Sequence, residues 1–192
     1  MPPKPKFSKE QIIDAAFEIA KLEGMDSITI RKVAEKLGSS IAPIYVNFKD
    51  VEELIGEVIH KIFELSRRKL AEQRTGNPFR DIGAASLRFA KEYPVLFRDL
   101  VMKNNAYMNN YDNEMGVLVE QMKQDPELES FSDEELRAIL LKMRIFQLGL
   151  SVMVANGLLS EDFDEEREVE MLESTAVDVI AVARLRKKGK LT

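Results

Sequence analysis

Apolar residues recur at three- and four-residue intervals along nearly the whole chain, and each run starts and stops on residues that cap helices. The first run is Ile12, Ala16, Ile19 and Ala20. Ser8 precedes it as an N-cap with Gln11 as capping-box partner, Phe7 and Ile12 form a staple pair, and Gly24 closes it. A second helix is predicted from a Thr29 cap, with Ile28 and Val33 as its staple pair. Ile30, Val33, Ala34 and Leu37 form its apolar face, and Gly38 supplies the turn. Ser40 is placed to cap a third helix, 41–48, with Pro43 in a first turn that needs no N–H there. Asp50 and Glu53 make another cap pair, opening a long helix to about Arg74.

Beyond the break Thr75-Gly76-Asn77-Pro78, Pro78 suits the first position of a helix reaching Glu92. Tyr93-Pro94 restarts the chain into a short helix over 95–102. Asn104, Asn105, Asn109, Asn110 and Asn113 make the next stretch a poor helix former, expected to be mobile. Further helices are predicted over 112–123, over 132–157 behind a Ser132/Glu135 cap, and over 164–187. No strand alternation or internal repeat appears. The expectation is an all-α chain of about nine helices, with a three-helix head and a larger helical bundle.

Composition narrows the chemistry. The chain has 192 residues, 45% hydrophobic and 32% charged, with no cysteine and one histidine. Disulfides and thiol chemistry are excluded, and a reducing cytoplasm is the expected compartment. No apolar run approaches the roughly 20 residues of a bilayer span, and the first residues lack a signal-peptide core, so no membrane partner is expected. The net charge of −5 divides unevenly, at +1 over residues 1–50 and −6 over the rest. Whole-chain acidity therefore says little about the head, because phosphate attraction depends on where the cations sit.

The head has the form of a helix-turn-helix. Ile30, Val33, Ala34, Leu37, Ile44 and Phe48 can supply its buried side, leaving Thr29, Arg31, Ser39, Ser40, Ala42, Pro43, Tyr45, Asn47 and Lys49 outside. Hydroxyls and cations are groups that phosphates bind, and small residues let a helix approach base edges. The pattern Thr29, Val33-Ala34, Gly38-x-Ser40, Tyr45-x-x-Phe48-Lys49, then Glu52-Glu53-Leu54 resembles the DNA-binding domain of the TetR family of bacterial transcriptional regulators. The resemblance covers about residues 8–55, and Tyr93-Pro94-x-Leu96-Phe97 adds a fainter likeness in the second part.

That resemblance implies a homodimer bound to a palindromic double-stranded operator, usually as a repressor released by a small-molecule effector. By position, Thr29 and Tyr45 would hold phosphates, Ser39 to Pro43 would face bases, and Lys49 would anchor the start of the fourth helix. Val51 stands where the family commonly has lysine, and Pro43 where a small hydrogen-bonding residue is frequent. Those departures keep open a sensor or carrier of the same fold with weakened DNA binding. An all-α enzyme finds no evident catalytic set in the chain, although carboxylates alone could serve acid–base chemistry.

The implied division is a reader at 1–48 and an effector-binding and dimerisation domain at 49–192, with the helices near 132–157 and 164–187 forming the dimer seam. Met108, Tyr111, Met115, Leu118 and Met122 share one helical face, either as core or as part of a pocket wall with Tyr107. Met102, Met143, Arg144, Gln147 and Arg88 complete the pocket candidates, the polar ones being suited to fix a polar or anionic effector group. Glu57-x-x-His60 has the form used in di-iron bundles, but such sites need two copies. Glu53, Glu57, His60 and Glu64 are expected to form a solvated face, and neither metal nor cofactor is predicted.

Overall fold

The computed structural model describes residues 6–72, 78–103, 111–160 and 162–191, with only the backbone for 78–79 and 111–114. Among the described residues all regular structure is helical. The elements are α1 (Lys9–Glu23), α2 (Ile30–Lys36), α3 (Ala42–Tyr45), α4 (Val51–Glu72), α5 (Pro78–Glu92), α6 (Pro94–Phe97), α7 (Tyr111–Met122), α8 (Asp133–Ala155) and α9 (Glu165–Lys187). A 3₁₀ turn, Met25–Ser27, follows α1, and α6 runs straight into a π-helical turn, Arg98–Met102. The single helix expected over 95–102 is thus two hydrogen-bonding patterns in series, the wider one marked by Lys103 N–H on the Arg98 carbonyl at 3.2 Å. Most of the asparagine-rich segment, 104–110, lies outside the described residues.

Local chemistry sets most helix starts. Ser8 and Gln11 form a reciprocal capping box on α1, as Ser132 and Glu135 do on α8. Thr29 caps α2 by accepting the Lys32 N–H at 3.2 Å. Asp50 accepts the Glu53 N–H at 2.9 Å, while the Glu53 carboxylate reaches past it to the Lys49 N–H at 2.8 Å. Ser40, however, is not the cap of α3. Ile41 takes that position in helical backbone with no side-chain cap, and the helix is shorter than expected.

Contacts divide the chain into two compact units: Met1–Arg67 with Tyr93–Tyr107, and Arg68–Glu92 with Met108–Thr192. The first unit buries Ile12, Ala16, Val33, Ile44, Phe48, Leu54, Val58 and Leu96 almost completely. The second holds one cluster around Met115, Val119, Met122, Leu128, Phe131, Leu136 and Ile139, and another around Leu87, Leu150 and Leu172. Met115 and Met122 of the methionine stripe are therefore core residues. Helix α8 is long and apolar enough to cross a bilayer by length and composition alone. Its Leu136, Ile139, Leu140 and Met143 are instead buried within the second unit.

Candidate nucleic-acid interface

Three devices build the α2–turn–α3 corner. Val33 and Ala34 bury one side of α2. A Schellman closure then ends it: Gly38 takes φ +61°, Ser39 N–H bonds the Ala34 carbonyl at 2.9 Å, and Gly38 N–H bonds Glu35 at 2.9 Å. Glycine is needed here for its backbone angle alone, because an added Cβ would meet nothing within 4 Å. Ile44 and Phe48, 0% and 1% exposed, pin α3 to the core of the first unit.

The other side of α3 is bare. Ile41, Ala42, Tyr45 and Val46 are all exposed, Tyr45 by 53% and Val46 by 73%. Of the residues expected outside, Thr29, Arg31, Ser40, Ala42, Tyr45 and Lys49 are exposed, while Ser39, Pro43 and Asn47 are half-buried. Thr29 spends a lone pair on its cap and keeps its hydroxyl hydrogen to donate. Ser39 Oγ donates to the Ser40 carbonyl at 2.8 Å, and Asn47 Nδ2 donates to the Pro43 carbonyl at 3.0 Å. Ile41 and Val46 were absent from the expected set because it was built on polar and small residue types; their helical spacing was the available signal.

Charge is distributed unevenly over this unit. Lys9 pairs with Glu57 at 2.6 Å, Lys32 with Glu23 at 2.6 Å, Lys61 with Asp14 at 2.5 Å and Lys21 with Glu18 at 3.7 Å. Arg31, Lys36 and Lys49 have no ion pair among the described residues, against the one carboxylate of α2, Glu35. The Glu57–Lys9 bond uses one member of the glutamate–histidine motif, and no metal-sized cluster of acidic or histidine groups occurs among the described residues.

Asp99 joins two stretches of this unit that are distant in sequence. It is 5% exposed, accepts the Met25 N–H at 2.9 Å, and is met by Lys103 Nζ at 2.9 Å and Arg98 Nε at 3.1 Å. Burial opposes its charge, but the bonds from Lys103, Met25 and Arg98 outweigh that and hold its carboxyl below the ordinary aspartate value. Gly24 adopts φ +98° directly against it, and a Cβ there would stand 2.3 Å from Asp99 Oδ2. The junction between α1 and α2 is therefore fixed by a carboxylate distant in sequence.

In the second unit a cavity of about 390 Å³ opens among α5, α8 and α9. Its walls carry apolar Leu140, Met143 and Leu172, with Arg144, Gln147 and Glu173 among the polar groups. Three expected pocket residues, Met143, Arg144 and Gln147, thus meet at one cavity. Met115 touches its edge indirectly, its sulfur 3.3 Å from Arg144 Nη1. Arg88 lies elsewhere, bonding Glu165 at 3.1 Å beside a crevice of only about 10 Å³. Met102 is exposed in the first unit, while Tyr107, Met108 and the Tyr111 side chain fall outside the described residues. Arg80 and Arg184 also line the cavity; they come from distant helices, and no periodicity could have grouped them with Arg144.

Residues 12–58 match the sequence profile of the bacterial regulatory proteins of the tetR family. A TetR-like transcriptional regulator from Rhodococcus sp. RHA1 has a similar structure, with a TM-score of 0.67 at 20% identity over 90% of this chain and 95% of that one. SmeT, the repressor of the Stenotrophomonas maltophilia multidrug efflux pump SmeDEF, gives 0.62 at 16% identity over 92% and 91%. The fatty acid degradation regulator FadR from Bacillus halodurans gives 0.60 at 15% identity over 92% and 97%. At these identities the likeness is one of fold. No curated protein matches the chain.

Proposed function

We propose that this chain, TetR-family in its DNA-binding segment and TetR-like in its fold, is a cytoplasmic homodimeric repressor of transcription. It binds a palindromic duplex operator and lets go when a small molecule occupies its second unit. In this reading residues 1–48 are the reader, and 49–192 bind the effector and dimerise. Thr29, Arg31 and Lys49 contact the phosphates, and the segment 39–47, with Tyr45 on its exposed side, faces the bases.

One observation carries the reading. Ile44 and Phe48 bury one side of α3 while Ala42, Tyr45 and their outward neighbours are left uncovered, and Arg31, Lys36 and Lys49 have no ion pair among the described residues. A face needed only for packing would not be kept open in this way. The dimer is supported by α8 and α9, which expose Leu141, Ile145, Met153, Val177 and Leu185 in water. The effector reading is supported by the cavity among α5, α8 and α9, whose volume lies within the range of small-molecule sites. By linkage, the effector releases DNA only if it prefers the conformation whose two reading heads do not fit the operator.

Enrichment of duplexes from a genomic fragment pool by the full-length protein, followed by mobility shift, tests the reading. Wild-type protein is expected to enrich discrete sites, and Tyr45→Ala to bind them at least about tenfold more weakly with an unchanged circular dichroism spectrum. Enrichment of no site would leave a sensor without DNA binding. Equal binding by Tyr45→Ala would remove this face as the docking surface.

A further inference from the structure

Between Gly38 and Lys49 the chain carries no charged side chain. What it exposes there is branched and aromatic carbon: Ile41 at 48%, Tyr45 at 53% and Val46 at 73%. At ~100° per residue, Ile41, Tyr45, Ala42 and Val46 fall within about 140° of arc, and buried Ile44 lies outside it. The backbone supports that placement, since both Ile41 and Val46 are in helical conformation, with Tyr45 N–H on the Ile41 carbonyl at 3.4 Å.

Two polar side chains of the same segment bond its own backbone, while Ser40 and Tyr45 stay exposed. The Asn47 amide, the type of group that reads adenine in paired fashion, donates to the Pro43 carbonyl, and Ser39 Oγ donates to Ser40. No arginine or lysine is present within it to pair with guanine. In the major groove a base pair offers hydrogen-bonding edges and, on thymine alone, the C5 methyl group. A reading face made of Ile41, Ala42, Tyr45 and Val46 matches the second kind of feature. The cations flanking it, Arg31, Lys36 and Lys49, suit a polyanion better than an apolar protein surface.

We infer that this chain reads its operator chiefly through thymine methyl groups, with Ile41 and Val46 as specificity-determining residues beside Ala42 and Tyr45. The inference rests on the DNA-binding reading above and names what that face recognises. Burial of one thymine methyl against Ile41 or Val46 corresponds to about a fourfold gain in affinity. Phosphate contacts from Lys49 and Thr29 set the register but carry no sequence information.

Deoxyuridine replaces thymine without its methyl group and keeps every pairing and hydrogen-bonding edge, so it isolates the contact. The full-length protein is used to enrich sites from a randomised duplex library. Binding to the enriched site and to its singly deoxyuridine-substituted forms is then measured by fluorescence anisotropy at fixed salt. Each contacted thymine is expected to lose about fourfold on substitution. Val46→Ala and Ile41→Ala are each expected to lose sensitivity to at least one such replacement while keeping the wild-type salt dependence. Both positions are exposed, so their circular dichroism is expected to match wild type. Full affinity for a wholly deoxyuridine-substituted site would overturn the inference and leave the regulator reading standing. The same follows if both variants keep the complete wild-type sensitivity pattern. Failure to enrich any duplex would overturn the two together.

Discussion

Helix α3 and the α8–α9 pair both leave apolar side chains in water, and their surroundings point to different occupants. On α3 the exposed residues sit on a helix of four residues with no charge of its own, flanked by cations without ion pairs among the described residues. That is a short, blunt face, small enough to enter a groove. Helices α8 and α9 have 23 residues each, about 35 Å of length. Leu141, Ile145, Gly149 and Met153 follow a four-residue spacing along α8, and Val177, Ala181 and Leu185 do so along α9. Exposed Lys142 and Asp178 put both signs of charge beside those ridges. In the proposed dimer these ridges would pack against a second copy of themselves, helix against helix. Apolar exposure alone does not identify a partner; its length and the charge around it do.

The contrast breaks most visibly at the ridges. Ile145, 65% exposed, becomes buried twice in a twofold dimer, so Ile145→Glu places two charges in one apolar seam. Association is expected to weaken by at least about a hundredfold, seen as a shift from dimer to monomer in sedimentation velocity. An unchanged dimer would move the seam away from α8.

A smaller effect is expected at Asp99. Asp99→Ala strips the Met25 N–H of its acceptor, while Arg98 and Lys103, both about half exposed, can return to water. The loss of stability should therefore be about 2 kcal/mol, measured by urea unfolding. The pH sign is fixed by the direction of the Asp99 shift. Its folded carboxyl titrates below the ordinary value of 3.8, so its contribution is complete above that pH and is lost as pH falls through the lower folded value. Asp99→Asn should flatten that acid limb of the stability curve; a limb identical to wild type would show that Asp99 does not contribute to it.

Smallest is the cap of α8. Ser132→Ala removes the acceptor of the Glu135 N–H and should lower stability by about 1 kcal/mol, with DNA affinity unaffected. A change in DNA affinity instead would mean that the two units are more strongly coupled than separate cores suggest.

What could be seen in the sequence was local. Ser8 with Gln11 and Ser132 with Glu135 announce helix starts because both partners lie within one turn. Met143, Arg144 and Gln147 could be grouped as pocket residues because they share one helix. Ser40 misled, since serine is a good cap in general, while here Ser39 bonds the Ser40 carbonyl and Ile41 already has helical backbone. Asp99 could not be foreseen, because its bond to Met25 joins positions 74 residues apart and leaves no periodic trace. Nor did residue type point to Ile41 and Val46: branched apolar residues on a short helix read as core until their exposure is known.

Hydrogen exchange of the full-length protein, free and bound to its enriched duplex, addresses the α3 face most directly. Slowed exchange confined to peptides spanning 29–36 and 39–49 is the predicted result, with no change along the exposed ridges of α8 and α9. Unaltered exchange over 39–49 in a saturated complex would contradict docking through α3.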